Sequence, residues 1–227
     1  MKQDGQNIMR KQARICGCPQ LQGVPMKSKL ALIAALSVGL LTGCGAARPS
    51  KYYQLTIPGD AAPLAVRNPY AVTLLLGPLR ASHLYREDHI VYSSSGENMG
   101  TYQYQRWGEP PTEMLEEILL RQLRASGRYR AVDVLRSNSR GDYILYGRLY
   151  DFKEISGASL STRLTIEFEL RETKTASTVW SHFYTHDEPA GGKDMPAVVA
   201  ALNRNAQRGV SDVESSLDQY FSSHTAN

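Results

Sequence analysis

Residues 160–171 constrain the fold more than any other stretch. Leu160, Thr162, Leu164, Ile166, Phe168 and Leu170 alternate one for one with Ser161, Arg163, Thr165, Glu167, Glu169 and Arg171. Successive side chains of a strand point to opposite faces, so this segment belongs in a sheet with one face on a core and the other in water. A sheet solvated on one side is the habit of antiparallel pairing. Residues 143–152 and 178–185 read as strands on either side of it, with residues 172–177 as the second connection. The three together are expected to form an antiparallel meander.

Two stretches change to a helical period. Met114, Leu115, Ile118, Leu119 and Leu123 make one apolar stripe. Glu113, Glu116 and Glu117 stand in its early turns and Arg121 and Arg124 in the late ones, which complements the helix dipole. Pro110-Pro111-Thr112 opens this helix, with Thr112 or a neighbour as its cap, and Gly127 stops it. A longer helix runs from Met195 to Phe221, with Pro196 in its first turn. Val199, Leu202, Ala206, Val210, Val213, Leu217 and Tyr220 recur along it at three- and four-residue steps, and Gly209 offers a bend. Its stripe has two destinations, its own sheet or a neighbouring subunit of a homo-oligomer.

Upstream, residues 51–56 read as a short strand and residues 58–69 as a Pro/Ala-rich loop. Residues 70–76 are apolar enough to be buried on both faces, and Gly77-Pro78 is expected to end them. Residues 84–86 and 90–92 read as extended, residues 93–98 as a turn, and residues 102–107 and 129–135 as strands. The order strands, helix, strands, helix is an α+β layout: a mostly antiparallel sheet, an amphipathic helix in mid-chain, and a long C-terminal helix packed on one face.

The N-terminal part of the chain has another character. Lys27 and Lys29 precede an apolar run from Leu30 to Leu41, interrupted by Ser37 and Gly39, and Leu41-Thr42-Gly43-Cys44 follows. A basic start, a short apolar run and a small-residue site are the parts of a secretory signal, and the run is too short to be a stable membrane span. Leu41-Thr42-Gly43-Cys44 resembles the bacterial lipobox, in which the cysteine is acylated and the chain is cut before it. On that reading Cys44 carries fatty-acyl chains of the palmitate type; a plain signal peptide with an incidental Cys44 is the alternative. Two or more chains hold a protein stably to a bilayer, whereas one holds it reversibly. Residues 26–43 are then the signal, 44–51 a lipidated tether, 52–222 a single domain and 223–227 a tail. Residues 1–25 are expected to be an extension from a start codon placed too early, with Met26 the initiator.

This division changes what the charge means. The chain has 26 Lys+Arg against 22 Asp+Glu, a formal charge of +4. Six basic residues and one acid precede Cys44, which leaves 20 basic against 21 acidic residues and a charge of −1. A basic total would suggest nucleic acid; the mature segment has no such excess. The three cysteines are Cys16, Cys18 and Cys44, so the domain itself has no disulfide and depends on packing.

His182 and His186 are a zinc pair only on a helix; on a strand they share a face about 13 Å apart, too far for one ion. Gly191-Gly192-Lys193 lacks the remainder of a phosphate loop. Ser93-Ser94-Ser95-Gly96 is not a nucleophile elbow. The residues make no case for an enzyme or for a cofactor. Tyr85, Tyr92, Tyr102, Tyr104 and Trp107 form an aromatic group with Arg86 and Arg106 nearby. Tyr85, Arg86, Tyr102, Tyr104, Arg106 and Trp107 are therefore candidates for a partner or ligand surface, with core and edge packing as the other reading.

The motifs in their order carry a resemblance. The lipobox is followed by Tyr52-Tyr53-Gln54-Leu55, Gly77-Pro78, Leu84-Tyr85-Arg86 with Ile90-Val91, and Arg106-Trp107-Gly108-Glu109-Pro110 entering a helix. Asp142-Tyr143-Ile144-Leu145 and Glu188-Pro189-Ala190 continue the series. The whole resembles the auxiliary lipoproteins of ABC-type transport systems, of the paraquat-inducible PqiC type, over about residues 50–222. It departs at Gly108, where relatives often have Ala, and at Tyr220-Phe221, where many have Trp. The resemblance implies a non-enzymatic lipoprotein on the periplasmic face of the outer membrane that works with an MCE-domain protein in moving lipids between membranes. Gly45 after the acylated cysteine fits outer-membrane sorting. Two other roles stay open: a carrier that binds lipid itself, and an activator of an envelope enzyme.

Overall fold

A computed structural model describes residues 48–59, 64, 70–95 and 98–224. The N-terminal extension, the signal, Cys44 and the first half of the tether, most of the Pro/Ala-rich loop and the last three residues lie outside the described residues. In chain order the strands are β1 (Lys51–Tyr53), β2 (Tyr70–Ala81), β3 (His89–Ser95) and β4 (Asn98–Trp107). Helix α1 (Pro111–Ala125) leads to β5 (Tyr129–Val134), β6 (Tyr143–Ser156), β7 (Leu160–Glu172) and β8 (Thr178–Pro189), and α2 (Met195–His224) closes the fold.

The sheet branches on β6. One of its edges carries β7 antiparallel along the whole strand, from Tyr143 against Glu172 to Ser156 against Leu160. The other edge is shared by two parallel neighbours. β2 covers the first half, Leu74 against Tyr143 to Ala81 against Leu149, and β3 the second, Val91 against Lys153 to Ser93 against Ile155. β5 lies parallel outside β2, β4 antiparallel outside β3, and β1 parallel on β4. β8 completes the expected meander on β7. The α+β class and the helix placement agree with the sequence reading, but the sheet is mixed: its N-terminal strands join β6 in parallel.

Both helices pack on one face of the sheet, α1 over β2 and β5 and α2 over β7 and β8. The buried residues of α1 include the predicted Met114, Leu115, Ile118, Leu119 and Leu123. Its cap differs from expectation. Pro110 is the N-cap and makes no side-chain cap bond, while Thr112 is buried. The Pro110 carbonyl instead receives Glu113 N–H at 3.0 Å and Met114 N–H at 3.2 Å. Gly127 ends the helix as predicted, at φ +62°, a conformation an L side chain adopts with strain.

Two other local expectations are corrected. β2 runs through Gly77-Pro78 to Ala81, with a register shift between Leu76 and Leu79. A bulge admits the proline, which has no N–H to give, and the Leu79 N–H is taken by Glu116 Oε1 of α1 at 2.6 Å. His83–Tyr85 is a 3₁₀ turn rather than a strand, closed by Tyr85 N–H to Ser82 O and Arg86 N–H to His83 O, both at 3.1 Å.

Helix α2 buries Leu202, Ala206, Val210, Val213 and Leu217 as its periodicity predicts, with Val198 and Phe221 rather than Val199 and Tyr220 at the ends. Three residues outside the predicted stripe complete it, Ala201, Asn205 and Gly209. A Cβ at Gly209 would stand 3.0 Å from Tyr184 Cε1 and 3.1 Å from Leu164 Cδ2. The glycine lets the helix lie close on β7 and β8. Asn205, fully buried, accepts from Tyr184 Oη at 2.9 Å and donates to the His186 carbonyl at 2.9 Å.

Candidate functional site

The six residues proposed as a surface divide once the sheet forms. Tyr85 and Trp107 are each 1 % exposed and belong to the core, with the Trp107 ring 5.6 Å from Phe152. Neither can meet a partner. Tyr102 is half-buried, donates to Glu154 Oε2 at 2.8 Å and packs 4.9 Å from Tyr92; burial first, then that hydrogen bond, raise its phenol pKa above the ordinary value. Arg106 donates to both oxygens of Asp88, at 2.8 and 3.0 Å, and so holds the end of β4 to the segment before β3. Tyr104 lies under the Arg48 guanidinium, 5.4 Å from its ring centre. Among the described residues, Arg86 alone of the six is exposed and pairs with no carboxylate.

Arg86 joins two arginines that the sequence reading did not single out. Arg80 of β2 and Arg148 of β6 are register partners, and Arg148 in turn faces Glu167 of β7, which faces Phe183 of β8. These four residues form one row across the sheet. Leu149 and Ile166, the next residues of β6 and β7 in that row, point the other way into the core, so the row lies on the face that carries no helix. An open depression of about 480 Å³ is lined by Leu79, Arg80, Ala81, Arg86 and Arg148. A neighbouring one of about 260 Å³ shares Arg80 and Arg148 and extends to Tyr146, Tyr150 and Arg171 and to the carboxylates of Glu167 and Glu169.

Like charges directly opposite on paired strands destabilise a sheet, yet Arg80 faces Arg148 and no carboxylate pairs with either among the described residues. The acids of the face are engaged by other groups. Glu167 accepts from Tyr150 Oη at 2.7 Å, which raises the Tyr150 pKa, and Glu169 meets Arg171 at 3.3 Å. Arg148 lies 5.3 Å from the Tyr150 ring centre and Arg171 5.3 Å from that of Tyr146. By contrast Arg163 makes a two-point pair with Asp187, at 2.6 and 2.7 Å. Arg80 and Arg148 escape sequence reading because no periodicity announces which strand β2 will join.

The remaining polar candidates have structural partners. His182 Nε2 is 2.6 Å from Asp212 of α2 and its ring stacks on Trp180, while His186 stands 3.4 Å from Glu188. The two imidazoles thus serve different carboxylates. Among the described residues no group of three or more His, Cys, Asp or Glu is placed to hold a metal, and no helix is long and apolar enough to cross a membrane.

Fold and site define a layered α+β domain with both helices on one face and an arginine-lined depression on the other. Two solved structures share the fold. One is a protein from Xanthomonas campestris, 21% identical, covering 72% of this chain and 92% of its own, with a TM-score of 0.65. The other is a protein of undescribed role, 13% identical, covering 75% of this chain and 99% of its own, with a TM-score of 0.59. No curated protein matches the sequence. The chain belongs to the family of ABC-type transport auxiliary lipoprotein components, whose model matches residues 53–213.

Proposed function

We propose that the protein is a non-enzymatic lipoprotein, held by acyl chains on Cys44 to the periplasmic face of the outer membrane, that docks an MCE-domain protein of an ABC-type lipid transport system. The observation that carries this reading is the family match over residues 53–213 beginning nine residues after the lipobox cysteine. The family names an ABC transport system as the setting, and the lipobox supplies a means of attachment. A domain of this size has a radius of gyration of roughly 16 Å, too small to span an envelope compartment, so a partner must supply the reach.

The carrier alternative requires a chamber for acyl chains. The apolar gap lined by Leu76, Leu115 and Phe168 is about 10 Å³, and the open depression lined by Leu76, Pro78, Leu120, Val134 and Leu135 is about 260 Å³ and bordered by Glu113, Glu116 and Glu117, against roughly 300–1,000 Å³ for a ligand pocket. That favours docking over carriage. Three measurements test the reading. Replacing Cys44 by Ser should abolish palmitate incorporation; unchanged labelling defeats the anchor. Crosslinking of the acylated protein should capture an MCE-domain protein; capture of a cell-wall synthase instead would favour the activator role. Native mass spectrometry should show no bound acyl species beyond the anchor.

A further inference from the structure

We propose that Arg80, Arg86 and Arg148 bind the phosphates of anionic phospholipid headgroups, so that the helix-free face of the sheet lies against the bilayer. The proposal rests on the anchored reading above, and it assigns that face a ligand.

Three exposed guanidinium groups that pair with no carboxylate among the described residues line one depression of about 480 Å³, in a mature segment whose total charge is −1. Two of them are directly opposed in register, an arrangement that an anion between them would relieve. A guanidinium offers paired donors that match phosphate oxygens, which makes arginine the residue suited to that group.

The surroundings favour a lipid headgroup over an acidic protein segment. Among the described residues no strand pairs with the outer edge of β2 beyond Leu76, but the Leu79 N–H there is already taken by Glu116 Oε1, so that edge lacks a free donor with which a peptide would start a ladder. Tyr150 and Phe183, on the same face, are 42% and 57% exposed with ring centres 6.2 Å apart. Exposed aromatic rings beside basic groups suit the level of the headgroups. Cys44 is seven residues before Lys51, a reach of at most about 25 Å. A tether that short keeps the domain at the bilayer surface, where even weak headgroup contacts are continuously available.

The test uses the acylated protein in vesicles of phosphatidylcholine alone or with phosphatidylglycerol, treated with phenylglyoxal and read residue by residue by mass spectrometry. Each basic group at an anionic surface is worth about a fivefold change in occupancy, so Arg80, Arg86 and Arg148 should react about fivefold more slowly in the anionic vesicles. Arg136 and Arg140, exposed on the β5–β6 loop, should react alike in both and serve as the internal reference. Equal rates at the three arginines in the two vesicle types would overturn the proposal. So would equal protection by inorganic phosphate in neutral vesicles, or protection that appears only on adding an acidic protein. Flotation reads the anchor separately. Protein that floats with both vesicle types but shows no protection retains the anchor and loses the site. Protein that floats only with anionic vesicles, with the three arginines protected, retains the site and loses the anchor.

Discussion

Replacing Asn205 with Ala should cost the domain roughly 2–5 kcal/mol. Asn205 has no exposed surface, and its side chain ties α2 to two polar groups of β8. Tyr184 Oη donates to its Oδ1 at 2.9 Å, and its Nδ2 donates to the His186 carbonyl at 2.9 Å. The alanine strands both partners in a site where Tyr184 is 8% exposed, and each stranded buried group costs about 1–3 kcal/mol. At about 2–4 °C per kcal/mol for a domain of this size, the melting temperature should fall by roughly 4–20 °C. Urea unfolding monitored by tryptophan fluorescence would give the change as a shifted midpoint with an unchanged slope. Tyr184→Phe should cost less, about 1–2 kcal/mol, because only Asn205 Oδ1 then lacks its donor. The double variant should lose less than the sum, with a coupling of about 1 kcal/mol. A loss below about 1 kcal/mol for Asn205→Ala, or additive single losses, would refute the argument that this amide fixes the helix to the sheet.

Two carboxylates should bend the pH profile in opposite directions. Glu188 is held below its ordinary 4.5 by the Arg204 hydrogen bond, with burial acting against it; its contribution is complete above 4.5 and is lost as pH falls through the folded-state value, so Glu188→Gln should flatten the acid limb of a denaturation series. Glu116 is raised above 4.5 by burial; its contribution is complete below 4.5 and is lost as pH rises through the folded-state value, and Glu116→Gln should remove that slope. Gly127→Ala should lower the denaturation midpoint by an amount worth more than about 1 kcal/mol, since φ is +62° and the new Cβ would meet Leu64 O at 2.0 Å. Arg80→Gln should leave stability unchanged or raise it by about 0.2–1 kcal/mol by removing the like-charge pair with Arg148; a clear loss would mean that the facing arginines are held by something other than a missing anion.

The features legible in the sequence are those set by local period. Alternation in residues 160–171 defines a half-buried strand whatever its neighbours, because side chains of a strand alternate by geometry. The stripe of α1 and most of that of α2 follow from the 3.6-residue turn in the same way. Gly127 marks a helix end because few other residues accept its backbone angle. The motifs from Tyr53 to the C-terminal helix could also be read directly, as a linear pattern, and the family match over residues 53–213 agrees with them.

Pairing was not legible, because the free energy of a strand pair depends on residues far apart in the chain. Nothing in residues 70–81 indicates that β2 passes through Gly77-Pro78 and lies parallel to β6; a carboxylate from α1 makes the bulge tolerable. Tyr85 and Trp107 looked like surface aromatics until the 3₁₀ turn and the end of β4 carried them into the core. Asn205 reads as an interruption in an apolar stripe until β8 brings Tyr184 and the His186 carbonyl to meet it. Arg80 and Arg148 are 68 residues apart in the chain and become neighbours only through the register of β2 on β6. Local chemistry thus specified the elements and the signature of an anchored protein. Which side chains share a face, and hence that Arg80, Arg86 and Arg148 line one depression, was decided only when the strands paired.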